Sequence, residues 1–313
     1  MIFMKKNAKI FVAGGQSGLV GTAIVRNLKE KGYTNVLTRT RNELDLLNPK
    51  QVAKFFETKK PEYVFLAAAK VGGILANKTH KADFIYDNLQ IQNNVIYNAW
   101  KYKVTKLLFL GSSCIYPRMS PQPIKEEYFM MGPLEKTNDA YAIAKIAGIK
   151  MCQSYNEQYG TNFISAMPTN LYGPNDNFDL NDSHVLPAFI RKFHEAKVND
   201  MPYVTMWGTG SPYREFLYVD DLADACVNLM EKYNSSDIIN VGTGEDLTIK
   251  ELAEMIKEIV GYTGKIKWDS TKPDGTPKKQ LDVTRLFELG WKPKESLNSG
   301  IKKAYQWFLN HYE

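Results

Sequence analysis

The sequence predicts a doubly wound α/β fold, a parallel sheet covered by helices on both faces, with a smaller mixed α/β lobe after it. Three observations carry this. Short apolar runs alternate with longer amphipathic stretches over the first 170 residues. The first run ends in glycines that open a helix. Beyond residue 170 the alternation breaks into shorter pieces. Parallel strands need crossover connections, and intervening helices supply them.

Each element has its own signal. Lys9-Ile-Phe-Val-Ala13 is an apolar run ending in glycines, hence a buried strand; residues 20–31 then carry helical spacing (Val20, Ile24, Val25, Leu28) and stop at Gly32. Val36-Leu37 begins a second strand, and residues 49–59 form a helix with proline in its first turn. Residues 63–69, 106–110 and 163–168 are further strands, separated by long helices over 82–102 and 140–159. Residues 172–182, rich in Gly, Pro, Asn and Asp, are a loop. Helices follow over 187–197, 220–233, 249–260 and 301–311, with strands at 204–207 and 238–241. The last of these reads as one more buried strand returning to the sheet. The expected division is residues 1–170 with about 215–245 in one domain, and 171–214 with 246–313 in the other.

Composition narrows the class. The chain has 313 residues, 44% hydrophobic and 24% charged, which is ordinary globular usage and long enough for two lobes. Three scattered cysteines (Cys114, Cys152, Cys226) make no disulfide framework, and no Cys/His cluster has metal spacing. Residues 1–9 lack a leader's long apolar region, and no apolar run approaches a membrane span. The expectation is a reduced, soluble, cytoplasmic protein that binds neither metal nor membrane. The net charge of +6 is compatible with phosphorylated ligands. It is not concentrated as nucleic-acid binding would need: the densest stretch, 272–279, is interrupted by Pro, Asp and Gly.

The first chemical feature is the turn Gly15-Gln16-Ser17-Gly18-Leu19-Val20-Gly21. Between a strand and a helix, such glycines let backbone N–H groups approach a pyrophosphate at the positive helix end. A dinucleotide with a free 2′-hydroxyl calls for an acidic residue at the end of the second strand. Here that stretch reads Thr38-Arg39-Thr40-Arg41, and Asp45 lies further on. Two guanidiniums suit a 2′-phosphate, so NADP is expected over NAD.

The second is Tyr141-Ala-Ile-Ala-Lys145, a phenol and an ammonium on one helix face. A neighbouring cation favours the phenolate, which would bring the tyrosine nearer working pH. Leu110-Gly111-Ser112-Ser113-Cys114 ends the fourth strand, where open α/β sheets bind ligands. A Ser112 hydroxyl there can share a carbonyl oxygen with Tyr141.

The glycine turn, strand-end serine and YxxxK resemble the extended short-chain dehydrogenase/reductase family, over nearly the whole chain. The resemblance implies a Rossmann lobe and a nucleotide-sugar lobe with the chemistry between them. Leu66-Ala-Ala-Ala-Lys-Val-Gly-Gly73, Gly111-Ser-Ser-Cys-Ile-Tyr-Pro117, Pro168-Thr-Asn-Leu-Tyr-Gly-Pro174, Asp182-Ser-His184 and Lys272-Pro-Asp-Gly-Thr-Pro277 are similar to the GDP-L-fucose synthase group. That implies NADP(H), GDP-4-keto-6-deoxy-D-mannose as substrate, 3,5-epimerisation followed by 4-reduction, and a homodimer formed through helices 82–102 and 140–159. It also implies Cys114 as base and His184 as acid, with Pro168, Asn170, Leu171 and His184 on the nicotinamide side.

For the GDP-sugar the expected contacts are Lys192, Trp207, Arg214, Asp274 and Lys279. Arg214 can hold a diphosphate through two parallel hydrogen bonds. Trp207 offers a flat wall or belongs to a core; Asp274 takes sugar hydroxyls or shapes its turn. Ser17 and Lys192 stand where the group carries arginine, which removes one cation near the cofactor phosphates and one bidentate partner. Other readings are a related dehydratase or 4-epimerase, or a non-catalytic NADP sensor. A dehydratase needs an acidic pair after the strand-end hydroxyl, which residues 112–116 lack; a 4-epimerase needs no Cys114–His184 couple; a sensor needs none of Ser112, Tyr141 and Lys145. Cys152, Cys226, His80, His194 and His311 are expected to be structural.

Overall fold

The computed structural model describes residues 4–180, 182–272 and 274–312. The first half runs β1 (Ile10–Ala13), α1 (Leu19–Glu30), β2 (Val36–Leu37), α2 (Pro49–Lys59), β3 (Tyr63–Leu66), α3 (Ile74–Thr79), α4 (Lys81–Lys101), β4 (Lys106–Leu110), α5 (Asp139–Tyr159) and β5 (Phe163–Pro168). The second half runs β6 (Asn170–Tyr172), α6 (Val185–Val198), β7 (Tyr203–Trp207), β8 (Tyr213–Arg214), β9 (Phe216–Tyr218), α7 (Val219–Lys232), β10 (Ile238–Val241), β11 (Leu247–Thr248), α8 (Ile249–Val260), β12 (Lys265–Asp269), β13 (Lys278–Lys279), α9 (Thr284–Glu288) and α10 (Leu297–Tyr312).

Six strands form one sheet in the order β10-β5-β4-β3-β1-β2, and every pairing in it is parallel. The strand expected to return does so: Ile238 to Val241 pair with Ser165 to Pro168 of β5. β1 lies between β2 and β3, so the chain leaves it first to one side and then to the other. That reversal opens a crevice at the carboxyl ends of the strands.

Side chains of the strands alternate between two apolar layers. From β1, Ile10 and Val12 pack with Ile24 and Leu28 of α1 and Leu222 and Leu229 of α7. Phe11 and Ala13 face the other way, toward Phe55 and Phe56 of α2, Val95 of α4 and Ile149 of α5. Full burial of each such side chain is worth about 1.5–3 kcal/mol. A third cluster joins Phe189 and Phe193 of α6, Leu252 and Ile256 of α8, Ile301 and Phe308 of α10, and Met206 of β7. Late in the chain, Leu281, Val283, Leu286 and Trp291 pack back into the sheet's two layers.

Several short elements escape sequence patterning. The strand expected over 63–69 stops at Leu66, and α3, β6, β8, β9, β11 and β13 are too short to show a period. Among the described residues no helix is long and apolar enough to cross a membrane.

One buried cation ties the sheet to α7. Lys106 is 3% exposed, and its ammonium donates to the carbonyls of Leu229 (3.1 Å) and Met230 (2.9 Å), to that of Tyr233, and to Asn234 Oδ1 (3.1 Å). It supplies the donors that a helix C-terminus lacks. Replacing Lys106 by Met leaves these acceptors unpaired and should lower stability by about 2–3 kcal/mol in urea unfolding. A loss below about 0.5 kcal/mol contradicts that role.

Candidate active site

The glycine turn sits at the carboxyl end of β1. Gly18, with φ +82°, is the residue before α1, and a Cβ on it would meet nothing within 4 Å. Its backbone therefore needs glycine while the space beside it is open. Gly21 is required by packing instead: a Cβ there would lie 1.9 Å from the Gly14 carbonyl oxygen. No side chain caps the first turn of α1, so its N–H groups are left for an anion.

β2 delivers Arg39 beside this turn. Thr38 Oγ1 donates to Gln16 Oε1 at 2.6 Å, and Arg39 Nη1 donates to the Thr38 carbonyl at 2.6 Å with its guanidinium 5.7 Å from the Phe55 ring centre. Arg41 has no contact with the turn; its exposed side chain faces Asp45 at 4.0 Å.

The second group lies at the end of β4. Ser112 opens a short 3₁₀ turn (Ser113–Ile115), its hydroxyl accepting from the Cys114 N–H at 3.2 Å. Tyr116 anchors that turn to β10 by donating to Asn240 Oδ1 at 2.6 Å. α5 then crosses over the strand end. Lys145, 4% exposed, donates to the Leu110 carbonyl at 2.8 Å, and Ser112 hydrogen-bonds the Tyr141 phenol. The strand-end serine and the YxxxK pair thus meet, as their spacing suggested.

The electrostatics differ from the sequence argument. Burial pushes the Tyr141 phenol upward, the nearby Cys114 thiol adds to this, and the Ser112 hydrogen bond opposes it. Burial also pulls Lys145 down to about 7. The ammonium is spent on the Leu110 carbonyl, so it does not bring the phenol toward neutrality. Burial holds Tyr141 as a neutral phenol.

Cys114 lies beside this pair. Its sulfur accepts from Asn138 Nδ2 at 3.2 Å and from Lys279 Nζ at 3.7 Å. His184 immediately precedes α6 and is an exposed residue. Its pKa is lowered, first by the packing around the ring and then by the charge of Lys279. Cys152 and Cys226 are buried in the core as expected, and burial pushes both thiols to about 12.

The expected sugar-nucleotide residues divide. Trp207 is 47% exposed, with Lys192 and Lys272 ammonium groups 6.0 and 5.6 Å from its ring centre, so it is a surface wall and not core. Lys192 also donates to the Thr205 carbonyl at 3.2 Å. Arg214 is held by its own Tyr213 carbonyl (2.7 Å) and by that of Asp274 (3.4 Å). The Asp274 carboxylate is already engaged, accepting from Thr209 N–H (2.7 Å) and Thr209 Oγ1 (2.8 Å). These contacts tie Asp274 to a loop 65 positions away, a partner that neither of its sequence readings named. Asn170 Nδ2 is likewise directed to the Glu215 carbonyl at 2.7 Å.

Two residues not singled out from the sequence matter to this site. Asn138 touches the Cys114 sulfur; its signal was the three-residue step to Tyr141, one turn along the same face of α5. Glu215 is fully buried, and its carboxylate accepts from the N–H groups of Thr243 (2.6 Å), Gly244 (2.9 Å) and Leu281 (2.8 Å). It fastens three segments under the crevice, and only its position next to Arg214 hinted at this.

With this geometry in place, comparison with known proteins is specific. Residues 10–242 match the NAD dependent epimerase/dehydratase family. GDP-L-fucose synthase 1 of Arabidopsis thaliana is 60% identical over 306 residues, covering 98% of this chain and 94% of that protein. A GDP-6-OMe-4-keto-L-xylo-heptose reductase of C. jejuni superposes with a TM-score of 0.94 at 43% identity, over 99% of both chains. A GDP-L-fucose synthetase of Naegleria fowleri bound to NADP superposes with a TM-score of 0.92 at 30% identity, over 99% of this chain and 97% of that one. The chain belongs to the NAD dependent epimerase/dehydratase family, among its GDP-L-fucose synthase-like epimerase/reductases.

Proposed function

We propose that this chain converts GDP-4-keto-6-deoxy-D-mannose to GDP-L-fucose, as an NADPH-dependent 3,5-epimerase and 4-reductase. The observation that carries this reading is Cys114 lying against the Ser112–Tyr141 pair. A reductase alone needs the hydroxyl pair; a thiol beside it adds a base next to the ketone's acidic neighbours.

The turn at Gly15–Gly21 has the open space and uncapped N–H groups that a pyrophosphate fits, and Arg39 stands where a 2′-phosphate would be met. NADPH held there supplies the hydride for C4. The Ser112 and Tyr141 hydroxyls donate to the C4 oxygen, which acidifies C3 and C5 and stabilises the enolate. Cys114 removes the proton from each carbon in turn. His184 returns one to the opposite face from its imidazolium form, which a lowered pKa makes the stronger acid, and before the second carbon reacts Cys114 releases its proton to solvent and His184 takes one up. In the reduction Tyr141 gives its phenolic proton to the C4 oxygen. Trp207 with its flanking lysines and Arg214 face the guanosine diphosphate.

The two lobes are assigned as residues 1–170 with about 215–245, and 171–214 with 246–313. We assign the active form as a cytoplasmic homodimer joined through α4 and α5, whose exposed Tyr86, Tyr97, Ile143 and Tyr159 support an apolar contact between copies.

The direct test is turnover of GDP-4-keto-6-deoxy-D-mannose with NADPH in deuterated water. The expected product is GDP-fucose carrying deuterium at C3 and C5. An unepimerised GDP-6-deoxyhexose contradicts the epimerase assignment. Cys114→Ser should slow deuterium uptake about 10²-fold or more; an unchanged rate removes Cys114 as the base. Arg39→Ala should reduce the kcat/KM preference for NADPH over NADH about 10–100-fold. An unaltered preference places the 2′-phosphate elsewhere.

A further inference from the structure

Asn138 is an asparagine at a helix N-cap whose side chain caps nothing. It immediately precedes α5, where its side-chain oxygen would normally accept an N–H of the first turn, yet no such bond is made. Its Oδ1 is buried without a hydrogen-bond partner, while its Nδ2 is turned to the Cys114 sulfur at 3.2 Å. The capping bond is given up and the contact to sulfur is kept. Lys279, on β13 and 165 positions from Cys114, brings an ammonium to 3.7 Å from the same atom.

We infer that Asn138 and Lys279 are positioning residues that hold the Cys114 sulfur ready to accept a proton, so that Lys279 serves the base rather than the sugar nucleotide's diphosphate. This rests on the reading of Cys114 as the base. Two N–H donors converging on one sulfur fix where it sits, and the Lys279 cation lies beside the charge that is exchanged there. When a C–H bond beside the C4 ketone breaks, its electron pair passes into the enolate and its proton to Sγ. Sulfur then becomes neutral while the substrate becomes anionic, and Lys279 remains close to both charges.

Other groups face this sulfur too. The Tyr141 phenol, from α5, opposes the thiolate when ionised. Arg214, from β8, is close enough for its charge to be affected by Cys114. Arg118 and Glu135, paired at 3.1 Å, line the same pocket and largely cancel each other. Lys279 is the charged group in direct contact.

The test is the rate of Cys114 alkylation by iodoacetamide against pH, on the full chain, with the modified cysteine identified by mass spectrometry. Cys152 and Cys226 are buried, so the reaction reports the accessible thiol. Lys279→Met should move the midpoint up by about 1–3 pH units relative to the parent chain and Asn138→Ala by about 1, whereas Lys279→Arg leaves it in place. Lys278→Met, whose ammonium pairs with Asp246 instead, should leave it in place. In turnover, Lys279→Met should lower kcat for deuterium uptake more than it raises KM. Unmoved midpoints in both Lys279→Met and Asn138→Ala overturn the inference, as does a Lys279→Met effect confined to KM. A failure of the base assignment looks different: Cys114→Ser would retain deuterium uptake while the midpoint shifts persisted.

Discussion

The buried Lys145 ammonium against the Leu110 carbonyl sets the geometry of everything else in the crevice. It fixes the register of α5 over the end of β4. One turn earlier on the same face, Tyr141 meets Ser112; a further turn earlier, Asn138 meets Cys114. The parallel sheet makes this possible, since it brings the ends of β1, β4 and β5 to one rim with the glycine turn beside them. A lysine carrying this contact must be dry, and the cost is visible in its pKa of about 7.

Dryness then decides the chemistry. The phenol is pushed up and the Lys145 ammonium is pulled down, so both move toward their neutral forms. Neutral hydroxyls are what an enolate oxygen and a C4 alkoxide require, because each needs a hydrogen-bond donor and, in reduction, a proton. The usual picture of a lysine making its tyrosine a phenolate does not describe these contacts. Charge is kept at the rim instead, in Arg214, Lys279 and the lysines around Trp207, where it can face a diphosphate or a sulfur anion.

Much of the architecture was legible in the sequence because it depends on local pattern. The apolar strands, the crossover helices, the returning strand at 238–241 and the phenol–ammonium spacing all follow from short apolar runs and helical spacing. What was not legible depends on partners far along the chain. Asp274 engages Thr209, Asn170 reaches Glu215, and Lys279 reaches Cys114 across 165 positions. Two-residue strands such as β8 and β13 have no period to detect. The direction of the Tyr141 shift also lay outside the sequence: spacing shows that a cation is near, whereas burial and the cation's own hydrogen bond decide the outcome.

The central claim is that one hydroxyl pair serves both halves of the reaction, enolisation and reduction. Replacing Tyr141 by Phe and following both processes in deuterated water tests it most directly. The account predicts that deuterium entry at C3 and C5 and NADPH oxidation fall together, each by about 10²-fold or more. Deuterium exchange at the wild-type rate, with reduction alone lost, would contradict it.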